Sequence, residues 1–175
     1  MENEPELQYA QPVFCQGKGG EKLIMWVEGD ILTNADNLIY TADSIEEMQN
    51  FCEKFPLLDI HWDEPLTLDI DDFLIAINGL SIHFHTSNRR CAFIVDNYNL
   101  LDDIAIALKI PADKYLSNEV RYIIDGKLFW GCNLPSMTPK GKVWHPHWSK
   151  KELLALKSGV NTLITLISQK QPGLL

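Results

Sequence analysis

The chain has 175 residues, 46% of them hydrophobic and 22% charged, with a formal net charge of −9 at neutral pH. That length and composition suit one globular domain around one core, so residues 1–175 are expected to fold together. The sign of the charge argues against a nucleic-acid partner, which calls for clustered cations, and no run of 18 apolar residues is present to span a membrane.

Cys15, Cys52, Cys91 and Cys132 are spread almost evenly, with no Cys-x-x-Cys pair. Such spacing is not a disulfide framework and points to reduced thiols in a cytoplasmic protein. Met1–Glu6 is acidic and carries no apolar segment, so no secretion signal is expected, and residues 1–8 are expected to fray.

Along the chain, Gln11–Gln16 and Lys22–Glu28 read as strands joined by a turn at Gly17-Lys18-Gly19-Gly20. The glycine cluster lacks the Gly-x-x-x-x-Gly-Lys-Ser/Thr spacing of a phosphate loop. Asn37–Thr41 reads as a further short strand. Ser44-Ile45-Glu46-Glu47 is a capping box, and Ile45, Met48, Cys52 and Phe55 recur at helical spacing, which predicts a helix over Ser44–Lys54 ended by Pro56.

Leu58, Ile60 and Trp62 alternate with polar residues, as do Leu66, Leu68 and Ile70, and both runs read as half-buried strands. Asp71-Asp72 then breaks the period, as a bulge would. Asn78-Gly79 between Phe73–Ile77 and Leu80–His85 predicts a hairpin, with Cys91–Asp96 as a third run at the centre of the sheet. A helix over Asn99–Lys109, capped by Asn97 or Asn99 and stopped by Pro111, follows. Pro111–Asn118 reads as a polar connection. Asp125-Gly126 predicts a second hairpin between Val120–Ile124 and Lys127–Cys132, and Asn133–Pro146 promises little regular structure. Ser149-Lys150-Lys151-Glu152 opens a last helix, to Ser168, whose stripe is Leu153, Leu156, Val160, Leu163 and Ile167. Trp148 and Leu153 can staple its start, and Gly159 is its weak point. The fold expected is therefore α+β: an antiparallel sheet of about six or more strands packed with three helices.

Candidate chemistry is sparse. His83 and His85, two apart on an expected strand, would face the same way, but no third ligand accompanies them. His145-Pro146-His147 between Trp144 and Trp148 reads as a loop packed by tryptophans. No local pattern marks a Cys-His pair or a Gly-x-Ser-x-Gly elbow. No catalytic residue, metal or cofactor is expected.

What stands out is charge placement. Glu28–Asp72 holds thirteen acids against Lys54 alone, whereas from Lys127 onward seven lysines face Glu152 alone. Acidic density is greatest in Asp59-Ile60-His61-Trp62-Asp63-Glu64 and onward through Asp69, Asp71 and Asp72. Like charges so crowded repel one another, a cost easiest to understand if a basic partner is met there. Asp59, Trp62, Asp63, Glu64, Asp69, Asp71 and Asp72 are the expected partner-binding residues, with Trp62 as an aromatic anchor.

A small, acidic, motif-poor domain with such a stretch resembles the contact-dependent growth inhibition immunity proteins of bacteria. The resemblance implies tight binding to a toxin domain, often a basic nuclease, and occlusion of its active site. An enzyme built on the histidine pairs, or an assembly subunit using the acidic face, are the rival readings.

Overall fold

A computed structural model describes residues 6–175, and these form an α+β fold with a mixed five-stranded sheet. The expectation of fraying for residues 1–5 lies outside the described residues, and Gln8 already belongs to a strand. The chain divides into two compact units. One holds residues up to Ile70 together with Asp103–Ile110 and Ile167–Leu175; the other holds Asp71–Asp102 and Pro111–Leu166.

The first unit is built on the sheet. Strands β1 (Gln8–Gly17) and β2 (Gly20–Val27) form the expected antiparallel hairpin, closed by Gly17 opposite Gly20. Gly20 has φ +97°, a backbone region that favours glycine. Leu23, Ile24 and Met25 are all buried, as in a strand covered on both faces. Strand β3 (Asp30–Ile31) pairs with β2, while Asn37–Thr41 makes only an isolated bridge through Ile39 instead of the expected strand. Helix α1 (Ile45–Cys52) begins as expected: the Ser44 hydroxyl accepts from the Glu47 N–H at 3.1 Å. The return bond lands one residue early, since Glu47 accepts from the Asp43 N–H at 2.9 Å.

The sheet is not antiparallel throughout. Strands β4 (Leu58–Ile60) and β5 (Leu66–Asp69) both run parallel to β1, β4 opposite Gln8–Ala10 and β5 opposite Val13–Gln16. The gap between them falls at Gln11 and Pro12. Ala10 accepts from the His61 N–H at 2.9 Å, so Ala10 addresses this edge, and Pro12, two residues on, faces the same way. Proline has no N–H to offer a neighbouring strand, and the ladder breaks where it stands. The chain bows outward as Trp62–Pro65, and the Gln11 side chain donates to the Glu64 carbonyl across the gap at 2.9 Å.

On one face of the sheet, Ala10, Leu23, Met25 and Val27 pack with Met48 and Cys52 of α1. Toward the other, Trp26 Nε1 donates to Asp103 at 3.0 Å, and the Gln171 amide donates to and accepts from the Ile39 backbone at 2.8 Å each.

The second unit overturns the hairpin expectations. Helix α2 (Ile70–Asn78) replaces both the Asp71-Asp72 bulge and the strand over Phe73–Ile77. Phe73, Ala76, Ile77 and Leu80 are buried while Ile75 is exposed, a helical rhythm. Asn78-Gly79 ends this helix, with the Gly79 N–H donating to the Ile75 carbonyl at 2.9 Å. Leu80–His85 forms no strand. Helix α3 (Asn88–Ala107) begins eleven residues before Asn99 and absorbs Cys91–Asp96, so this run is not the centre of the sheet. Its start is signalled by Ser87, whose hydroxyl accepts from the Arg90 N–H at 3.3 Å.

The second hairpin is helical too. After a 3₁₀ turn at Ala112–Lys114, helix α4 (Asn118–Arg121), capped by Ser117, runs into π-helical turns over Tyr122–Leu128 and ends in α5 (Phe129–Gly131). Asp125-Gly126 lies inside this wound segment. Val120, Ile123, Ile124 and Leu128 are buried along it, which the strand reading had divided between two arms. The expectation for 133–146 holds: turns and no helix.

The last helix, α6 (Lys150–Lys170), forms with its whole expected stripe buried. Its capping box is complete: Ser149 Oγ accepts from the Glu152 N–H at 3.2 Å, and Glu152 Oε2 accepts from the Ser149 N–H at 2.8 Å. Glu152 also pairs with Lys127 at 2.6 Å, both side chains being largely covered. Burial pushes the Glu152 carboxyl up, but the Lys127 ammonium and the bonds to Ser149 outweigh it, leaving it below the usual carboxylate range. A folded value lower than the unfolded one gives stability that is present above about pH 4.3 and lost as pH falls through the folded value. Glu152→Gln is therefore expected to cost about 1 kcal/mol near neutrality. In denaturant melts at stepped pH, the gap from the parent should close on acidification.

Among the described residues no helix is long and apolar enough to cross a membrane.

Candidate partner-binding surface

The acidic block belongs largely to the sheet unit, and all thirteen of its acids are exposed except the half-exposed Asp69. Asp43 pairs with Lys22, and Asp59 faces His61 at 3.5 Å. Asp63 and Glu64 have no cationic partner among the described residues. They ride on the bow that Pro12 forces at the sheet edge, which holds them away from the ladder. Charged side chains and Pro65 on an edge strand also discourage pairing with another sheet, an ordinary structural service.

Trp62 occupies the same bow and is half-buried, with its indole packed against the cluster of Met25, Met48 and Cys52. Its remaining surface lines a hollow of about 380 Å³ with Cys52, Phe55, Leu58 and Ile60, rimmed by Gln49 and Glu53. Phe55 leans on Phe51 at 5.3 Å, and Phe51 stacks on Tyr40, so the floor is held by an aromatic row. Trp62 is thus part core and part open to solvent. The hollow joins the end of α1 to β4, and Phe55, Gln49 and Glu53 were not anticipated as part of it. In the sequence Phe55 reads as the last member of the helix stripe; its position directly before Pro56, past the helix end, is the signal that it belongs elsewhere.

Asp59, Trp62, Asp63, Glu64 and Asp69 all lie along the stretch that spans β4 and β5. Asp71 and Asp72 fall in the first turn of α2 and in the second unit. Carboxylates there are favoured by the helix dipole.

The histidines are arranged differently from the strand expectation. His83 and His85 lie in the loop after α2, exposed together with Ile82 and Phe84. The His85 ring lies 5.3 Å from that of His145 and 4.9 Å from that of His147. No three His, Cys, Asp or Glu side chains among the described residues are disposed to hold a metal.

All four cysteines are free. Burial raises the Cys15 and Cys91 thiols to about 12 and Cys52 to about 11, and raises Cys132 as well. A thiol kept protonated is a poor nucleophile at neutral pH. Native protein at pH 8 should therefore resist iodoacetamide, with half-exposed Cys132 modified first and all four after unfolding. Rapid alkylation of Cys15 or Cys91 in native protein, read by peptide mass, would contradict this.

No protein-family model, curated protein or solved structure matches the chain.

Proposed function

We propose that the protein binds a basic protein through the Trp62 hollow of its sheet unit and the exposed acids of the same edge, and that this partner is a toxin domain whose active site it covers. The observation that supports a binding surface is the setting of Trp62: half-buried at a sheet edge, in a hollow shared with Phe55, Leu58 and Ile60, with the exposed carboxylates of Asp63 and Glu64 next to it in the chain. Exposed acids along this edge steer a cationic partner inward and reject anionic ones, while a desolvated indole resists dissociation. The toxin as partner rests on the likeness to contact-dependent growth inhibition immunity proteins. Neutralisation by occlusion asks nothing of this chain but a fitted surface, in keeping with thiols held in their unreactive form.

The test is a search of the genes flanking this chain's gene for a toxin domain, then co-expression with that domain and binding of the purified pair in low and high salt; a flank with no such gene counts against the reading. Rescue of growth is expected, with association slowed by roughly tenfold or more as salt screens the steering field. Absence of both rescue and binding would remove the reading.

A further inference from the structure

The second unit carries a hollow of a different character. A cavity of about 490 Å³ lies between the wound segment and the 133–147 loop, lined by Gly126, Trp130, Thr138, Lys142, Val143 and Trp144. Its volume suits a small molecule better than a protein side chain or a whole chain. Two indoles share it, Trp130 and Trp144, each about half exposed, and Val143 is 65% exposed. Leaving this much apolar surface in water is costly, and paired aromatic walls suit a flat ring laid against them.

The cavity has a built wall. Asn133 sits at φ +53°, a conformation asparagine tolerates better than most side chains, and there its amide reaches two ways. Its oxygen accepts from the Trp144 N–H at 2.5 Å, and its nitrogen donates to the carbonyls of Trp144 and Gly131 at 2.9 Å each. The loop carrying Trp144 is thus clamped to the end of the segment carrying Trp130. On the facing side Gly126 has no side chain. A Cβ there would lie 3.2 Å from the Tyr122 ring, so a larger residue would crowd that ring. Departures from α geometry such as these π turns recur where a helix serves a site.

Charge selects the ligand. From Asn133 to Lys151 the chain has four lysines and no acid, in a protein of net charge −9. Lys142 lines the cavity, and its ammonium has no acidic partner among the described residues; Asp125, next to Gly126, is the acid adjoining the wall in sequence. Indole pairs can also hold cations, but the surrounding lysines oppose that.

We infer that this cavity is a binding site for a flat aromatic anion, its ring laid against Trp130 and Trp144 and its acid group facing Lys142. It is independent of the toxin-binding reading, which uses the other unit.

The test uses 8-anilinonaphthalene-1-sulfonate as probe, its uncharged analogue N-phenyl-1-naphthylamine, and tetramethylammonium as a cationic control. One saturable sulfonate site is expected, quenching tryptophan emission. Trp144→Ala should weaken it by about tenfold or more, as losing a central aromatic contact does. Lys142→Met should weaken the sulfonate by roughly two- to fivefold and leave the uncharged analogue unchanged, the range of a solvent-exposed charge pair. Val143→Glu, at an exposed position the fold tolerates, should abolish sulfonate binding. Trp62→Ala should leave it intact. No saturable binding overturns the inference. So does binding indifferent to Trp144 and Val143, tighter binding of the uncharged analogue, or displacement by tetramethylammonium.

Discussion

Gly159→Ala should destabilise the protein by about 2 kcal/mol, opposite in sign to what helix propensity suggests. In an exposed helix interior the exchange would gain up to about 1 kcal/mol. Here Gly159 is buried in α6, and a Cβ would lie 3.0 Å from the Tyr115 carbonyl oxygen and 3.0 Å from a Val120 methyl. Neither neighbour gives way readily. Tyr115 is held through its hydroxyl, which donates to Asp102 at 2.6 Å, and Val120 is buried in the first turn of α4. Overpacking of this kind costs about 1–3 kcal/mol, and the backbone oxygen places it at the upper end. Urea titration should show a lower midpoint at unchanged slope. Ser158→Ala, one residue earlier and exposed, should be neutral or slightly stabilising. A stabilised Gly159→Ala would mean that α6 does not approach Tyr115 as described.

The same glycine shows what a sequence conceals. Gly159 reads as a defect in α6 because propensity is local, while the neighbour that requires it, Tyr115, is 44 residues away. The wound segment shows the converse. Asn78-Gly79 and Asp125-Gly126 are strong hairpin dipeptides when strands flank them, yet both lie in helical context. In the first case Ile70, Phe73, Ile77 and Leu80 already recur at helical spacing, but the alternation of Leu66, Leu68 and Ile70 draws the strand onward past its end. In the second, π turns advance by more residues than α turns, so Val120, Ile123, Ile124 and Leu128 fit no single template well. Cys91, Ile94, Tyr98, Leu101, Ile104 and Leu108 make a plain helical stripe, interrupted in reading only by the choice of Asn97 or Asn99 as cap. Where caps and stripes agree, as in α1 and α6, the elements form as expected.

The candidate surface is legible in part. Acid density and Trp62 are evident from the residues, but their mounting depends on Pro12, some fifty positions earlier. A proline in a strand that pairs on both sides interrupts one ladder, and register alone decides that the interruption falls opposite Trp62–Pro65. Sequence periodicity carries no information about register between segments so far apart.

On the proposed reading, neutralising the acids of this edge and removing the Trp62 indole should have separable effects on toxin capture. Asp59, Asp63 and Glu64 are exposed, so changing them together to Asn or Gln acts through the long-range field. The association rate should fall roughly tenfold at low salt and little at high salt, with dissociation nearly unchanged. Folding stability should hold or rise slightly as repulsion within the block is relieved. Trp62→Ala removes short-range surface on both sides of the ring. Its buried part packs against the core cluster of the sheet unit, so a stability loss of about 1–2 kcal/mol is expected, less than for a fully buried indole. Its open part should cost a further ~2 kcal/mol of affinity, about thirtyfold, taken in the dissociation rate. Trp62→Phe should recover much of the stability and less of the affinity, because the smaller ring fills the core side first. Asp71→Asn gives a contrast: its carboxylate serves the start of α2, so it should cost a few tenths to about 1 kcal/mol of stability. Binding kinetics of these variants at two salt concentrations, measured well below their melting temperatures, separate the contributions. An association rate indifferent both to salt and to the three acid replacements would mean that the acids do no more than solvate and guard the sheet edge.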